Sequence, residues 1–391
     1  MKTNPLLRLD RRFWVIILAL VLFVTGFSVA SYSETAGGTV RVDRVDFVTD
    51  EGYKMSAKLY IPDNATVETP APGILAIPGG NANLENMSDV DIELARRGYV
   101  VMAIDPYTIG RSEIVNTPDV GSRAAMDYLM SLNFVDSDCI GAMGHSAGTG
   151  RAKWAVTTDP DCTVIRDGVK AVFYLAAGDF NLEGVNMGVF IGSWDNPYGQ
   201  GKISARDIAT AEPFIDQIGA NPIELGTWYD MGDGTSRILY TGNSGHPTAL
   251  MLKEPILDVV SFFEQALAPA PVPADGIGYV AKEVGTSIGI IAVLMMMGQP
   301  VTFAKMFPFI LMLGITMVAA PGVPGGAVMA ALGILQSMLG FDETMQGLMI
   351  ALYIAQDSFG TACNVTGDGA IAVFMDSITK KGKAKKEKAN V

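Results

Sequence analysis

The chain has 391 residues and a formal net charge of −13, with 49% hydrophobic and 18% charged residues. That length suits two or three domains, and the charged fraction lies below the ~25% usual for soluble domains. Three cysteines exclude a disulfide scaffold, and the acidic balance excludes nucleic acid as a partner, because phosphate binding needs a basic face.

Residues 1–12 carry a net +3 and precede an uncharged run, 13–30 (FWVIILALVLFVTGFSVA). A run of this length spans a hydrocarbon core of about 30 Å, and the basic cap places the N-terminus inside and the downstream chain outside. The alternative is a cleaved signal peptide, because Ser28, Val29 and Ala30 resemble a small-residue cleavage site. Both readings export the acidic body downstream. Residues 40–49 and 54–61 alternate with period two around Asp50, Glu51 and Gly52 and predict an opening hairpin. Beyond it, short apolar runs at 73–77, 99–104, 139–143, 169–176, 185–193 and 237–241 predict strands. Segments 89–97, 120–132, 147–157 and 257–267 predict helices. Strands alternating with helices predict a mostly parallel sheet covered on both faces.

Residues 268–274 (APAPVPA) read as a stiff linker. After it the composition changes: 286–298, 306–320, 327–339 and 345–354 are apolar and rich in Gly, Ala and Met, as in membrane segments. The tail 377–391 carries six Lys against Glu387 and reads as cytoplasmic. The expected organisation is therefore a signal anchor or signal peptide (1–30), an exported α/β body (31–268), a linker (269–285), an all-α membrane segment (286–376) and a basic tail (377–391).

Gly144-His145-Ser146-Ala147-Gly148 fits G-x-S-x-G, with an apolar strand running in and a small-residue helix running out. That context places Ser146 on a tight turn at the carboxyl end of the sheet, with glycines where side chains would collide. A serine nucleophile needs a base, and the chain has two histidines. His145 adjoins the nucleophile in the turn, where its side chain is expected to point away, so that its loss leaves an active enzyme. His246, in a loop directly after the strand at 237–241, is left as the base. An acid must fix the base's tautomer. Asp195, in 190–195 (FIGSWD) after the preceding strand, is the favoured acid and Asp179 its rival. Donors to a developing oxyanion are assigned to the N–H of Gly80, or of its neighbour Asn81, and to the N–H of Ala147. No cofactor is required.

Residues 40–268 resemble the α/β-hydrolases, most closely the dienelactone-hydrolase-like branch. The resemblance is carried by 77–80 (IPGG), 94–105 (LARRGYVVMAID), 140–148 (IGAMGHSAG) and His246 ahead of 261–267 (SFFEQAL). It implies an α/β-hydrolase sheet, hydrolysis of a small ester-type substrate, and Ser146, His246 and Asp195 as the triad. The long stretch between Asp195 and His246, with Trp228 and Tyr229, departs from the pattern and reads as a lid or pocket wall.

Residues 306–376 resemble the carboxyl end of the dicarboxylate/amino acid:cation symporters. The resemblance rests on 320–326 (APGVPGG), similar to the tip of a re-entrant hairpin, and 356–368 (QDSFGTACNVTGD), similar to the final binding helix. It implies sodium at Asn364 and Asp368 and substrate at Asp357 and Thr361. Gly360 stands where members that carry acidic substrates have Arg. The chain is expected to be a multi-pass membrane protein with an extracytoplasmic serine hydrolase. The alternatives are a symporter-related protein with an accessory hydrolase, served by a co-encoded transporter, and an idle fusion.

Cys139 opens the strand at 139–143 and Cys162 lies in the loop before the next parallel strand, so a disulfide between them and a pair of free thiols are both open readings.

Overall fold

The computed structural model describes residues 11–80, 82–195, 205–246, 248–282, 284 and 288. Helix α1 (Arg11–Glu34) contains the uncharged run and, among the described residues, is the one helix long and apolar enough to cross a membrane. The symporter-like segment, with Asp357, Thr361, Asn364 and Asp368, lies outside the described residues.

The body is built on nine strands in the order β1-β2-β4-β3-β5-β6-β7-β9-β8. They are β1 (Val40–Val48), β2 (Lys54–Pro62), β3 (Ala71–Ile77), β4 (Val100–Asp105), β5 (Val135–His145), β6 (Val169–Leu175), β7 (Asn186–Gly192), β8 (Trp228–Asp230) and β9 (Ser236–Gly242). β1 and β2 form the expected hairpin, and β2 joins β4 antiparallel. From β4 through β3, β5, β6 and β7 to β9 every pairing is parallel. A parallel block needs crossover helices, and α2 (Ser88–Ala95), α3 (Ser122–Ser131), α4 (Gly148–Val156), α5 (Phe214–Ile218) and α6 (Lys253–Ala266) follow or connect its strands.

Burial on both sheet faces explains the continuous apolar runs of the inner strands. One core layer joins Leu75, Met102, Ala142 and Tyr174 to Met126 and Leu129 of α3 and to Ala152 and Val156 of α4. The other joins Ile74, Val101, Met143 and Phe173 to Val90 and Leu94 of α2 and to Phe262 and Phe263 of α6. Each fully buried aromatic or aliphatic side chain contributes roughly 1.5–3 kcal/mol relative to exposure.

The stretch read as a lid or pocket wall supplies α5 and the edge strand β8, which pairs antiparallel with β9; Trp228 stacks on Phe262, with ring centroids 5.6 Å apart. Tertiary pairing overrides the weak strand signal of three residues among glycine-rich turns. Of the two cysteine readings, free thiols hold for Cys139 and Cys162. β5 begins at Val135, so Cys139 sits within the strand rather than at its start, and its thiol points to the Leu267 carbonyl beyond α6. Cys162 is buried near Tyr174, on the α3/α4 face. The sheet stands between the two sulfurs, and no bond can cross it without moving the backbone.

Candidate catalytic site

The parallel strands end along one edge, and the residues singled out from the sequence meet there. β5 runs into Ser146, whose φ of +54° lies in the left-handed region that non-glycine residues rarely adopt. Such strain persists where its surroundings enforce it. The Ser146 N–H donates to the Leu175 carbonyl at 2.9 Å, and the Thr149 hydroxyl donates to the Ser146 carbonyl at 2.8 Å. The flanking glycines are steric requirements. A Cβ on Gly144 would lie 2.2 Å from the Gly148 carbonyl oxygen, and one on Gly148 would lie 2.3 Å from that of Ile77.

His246 follows β9 on a short loop that is tied in place. The Gly245 N–H donates to the Thr248 hydroxyl at 2.8 Å, and the Trp194 indole donates to Asn243 Oδ1 at 2.6 Å. Asp195 leaves the end of β7 fully buried, its N–H donating to the Gly192 carbonyl at 2.9 Å. His246 Nε2 lies 2.7 Å from Ser146 Oγ, and Nδ1 lies 3.0 Å from both carboxylate oxygens of Asp195. Asp179 takes no part: it follows β6, and its Oδ1 is buried without a hydrogen-bond partner. An acceptor carboxylate on Nδ1–H leaves Nε2 as the acceptor for the serine hydroxyl, the arrangement a general base requires.

Gly80 lies on the loop after β3, and Ala147 directly precedes α4. The loop packs on the nucleophile so closely that a Cβ on Gly79 would sit 3.1 Å from Ser146 Cβ. Asn81, the other donor considered, lies outside the described residues.

Two residues matter here in ways the motif did not reveal. Arg151, on α4, turns its guanidinium onto the carbonyls of Pro78, Gly79 and Gly80, at 3.1, 3.4 and 3.0 Å. It thereby holds the loop that carries the Gly80 N–H. Its position five residues after the nucleophile, on a helix starting beside that loop, is a signal that helix geometry makes available. His145 is buried and donates from Nε2 to the main-chain carbonyl of His246 at 3.0 Å. It thereby braces the backbone of His246. Burial pushes this imidazole down to about 4, so it stays neutral at neutral pH.

Comparison with known proteins divides the chain in two. Residues 277–378 match the sodium:dicarboxylate symporter family. The Escherichia coli uncharacterized protein YcjY is 29% identical over 179 residues, covering 40% of this chain and 53% of that protein. The chain thus spans about half the length of this relative. Among solved structures, the Pyrococcus furiosus esterase Pf2001 aligns with a TM-score of 0.43 at 13% identity, over 60% of this chain and 96% of that one. The α/β hydrolase GrgF from Penicillium aligns with a TM-score of 0.40 at 12% identity, over 58% of this chain and 99% of that one. The chain is similar to α/β-hydrolases in its first part and to symporters in its last.

Proposed function

We propose that the chain is a membrane-tethered serine hydrolase that cleaves small ester-type substrates. The observation that carries this reading is the unbroken hydrogen-bonded series from Ser146 through His246 to buried Asp195, at 2.7 and 3.0 Å. His246 takes the hydroxyl proton as Ser146 Oγ attacks the acyl carbon, and Asp195 stabilises the imidazolium. The N–H groups of Gly80 and Ala147 stabilise the oxyanion. The imidazolium then protonates the leaving alkoxide as the ester bond breaks. A water molecule, deprotonated by His246, releases the acid and restores Ser146. Side chains and water suffice, so no cofactor is invoked. On this reading α1 serves as the anchor, and the basic residues at its start support an extracytoplasmic body in a multi-pass protein.

The test is ester hydrolysis by the purified full chain. Ser146→Ala and His246→Ala should each lower kcat by roughly 10⁴–10⁶-fold, because triad members act as a unit. Undiminished hydrolysis by either folded variant refutes the assignment. The match at 277–378 favours a second reading, a symporter-related protein whose hydrolase is accessory to a co-encoded transporter. On that reading Asn364 and Asp368 hold sodium, and Asp357 and Thr361 hold the substrate. Sodium-dependent uptake into vesicles containing only this chain, lost in Asp368→Asn, would establish it.

A further inference from the structure

The segment after α6 is strapped to the body along α2. α2 connects the carboxyl end of β3 to the amino end of β4, so it begins at the catalytic edge and ends at the opposite one. The strap runs back along it. At the far edge the Tyr99 hydroxyl donates to the Ala268 carbonyl, and the Val272 N–H donates to that of Arg97 at 2.9 Å. Next, Arg97 donates to the carbonyls of Ala274 and Gly276 at 3.3 and 3.1 Å, and the Arg96 guanidinium donates to that of Asp275 at 3.2 Å. Midway, the Gly278 and Tyr279 N–H groups donate to Glu93 Oε1. Finally Lys282 Nζ reaches the Ser88 hydroxyl on the first residue of α2, back at the catalytic edge.

The end of α1 is bound to the same strip. The Ser33 hydroxyl donates to the Gly278 carbonyl at 2.7 Å, and Lys58 joins Glu34 of α1 to Glu85, in the turn that follows the oxyanion loop. The Tyr279 hydroxyl donates to the Met251 carbonyl at 2.7 Å, five residues beyond His246. The strap thus ends between the oxyanion loop and the base loop, and the apolar run that begins at residue 286 follows within four residues of Lys282. Large apolar side chains are exposed on loops of that edge: Trp194, adjoining Asp195, at 59%, and Ile114, on the loop after β4, at 88%. Tryptophan in particular favours the membrane–water interface.

From this course we infer that the catalytic edge of the sheet faces the bilayer, and that the substrate is an amphipathic acyl ester held at the membrane surface rather than a freely dissolved one. The inference rests on Ser146 as the nucleophile. A site at headgroup level meets a chain-bearing ester without extracting it, and burial in the bilayer concentrates the longer acyl chains there.

The test reads nucleophile and orientation separately. The full chain is placed in phosphatidylcholine vesicles and labelled with a dye-bearing fluorophosphonate, with Ser146→Ala as control. Lipid carrying a nitroxide on its headgroup is then introduced. The expected result is labelling that requires Ser146, followed by loss of most of the dye emission, with nitrophenyl laurate in the vesicles hydrolysed in preference to nitrophenyl acetate. Labelling at Ser146 with undiminished emission overturns the inference and leaves the serine reading standing. So does a preference for acetate. Labelling that is absent, or that persists in Ser146→Ala, overturns the serine reading and this inference with it.

Discussion

Replacing Arg151 tests whether the loop carrying the Gly80 N–H is held by a charge on the neighbouring helix. The guanidinium makes three contacts with successive carbonyls, at 3.1, 3.4 and 3.0 Å. Hydrogen bonds to a charged group are worth about 1.5–3 kcal/mol each in favourable geometry, and the 3.4 Å contact is too long to count fully. Arg151→Ala therefore frees a loop held by about 3–6 kcal/mol of restraint. Loss of an oxyanion donor costs about 10²–10³-fold in kcat. A donor that is present but loosened should cost less, about 10–10²-fold, with KM nearly unchanged because the effect falls on the transition state. Arg151→Lys keeps the charge but not the fork and should fall between. The assay is ester hydrolysis, with affinity for a boronic acid that mimics the tetrahedral intermediate measured alongside. That affinity should fall in step with kcat. A folded Arg151→Ala enzyme with unchanged kcat and unchanged boronate affinity refutes the reasoning, whatever its thermal stability.

Asp195→Asn should lower kcat by about 10⁴-fold by imposing the wrong tautomer on His246, whereas Asp179→Asn should leave the rate within a few-fold; exchange of these outcomes in steady-state kinetics reverses the assignment. His145→Ala, expected from the motif alone to leave an active enzyme, should stay active but lower kcat by about tenfold, because His246 loses a main-chain brace and small misplacements are costly. His145 resists protonation down to about 4 when folded, so its stabilising effect is intact above the unfolded value near 6.5 and is lost as pH falls toward 4. Urea midpoints of His145→Ala should accordingly show a shallower acid decline than the parent. Burial and the neighbouring Glu254 charge push Asp258 on α6 up to about 7. Its folded form prefers the proton, so stability is lost as pH rises from about 4 to about 7. Asp258→Asn should then gain about 1–2 kcal/mol at pH 8, after allowance for solvent screening at a partly open site, and almost nothing at pH 4.

Much of this architecture was legible because the inner strands are buried on both faces and read as unbroken apolar runs. The pairing of His246 with Ser146 was legible by elimination, since the chain has two histidines and the other adjoins Ser146. Asp195 over Asp179 was favoured by its place one strand before the base strand, and the hydrogen bond to His246 agrees. β8 was not legible, because three residues carry no period and its pairing with β9 is decided in space. Nor was the attachment of 268–282 to α2. A Pro/Ala run signals stiffness, but the carbonyls that Arg96 and Arg97 hold are main-chain atoms and leave no trace in side-chain identity. Arg151 was legible only as a basic residue five positions after Ser146 on the following helix; the carbonyls it holds are likewise main-chain atoms.

The two borders of the sheet determine how the body can meet its own copies. β1 presents a margin studded with Arg41, Asp43, Arg44 and Asp46, and Arg41 pairs with Asp43 at 2.8 Å while Asp46 pairs with Lys54 and Arg111, both at 3.1 Å. The opposite margin, β8, is only three residues long. A charged border and a stunted one both discourage a foreign strand from adding on. Crowding of many such bodies on a vesicle surface should therefore leave them free of β-linked aggregates.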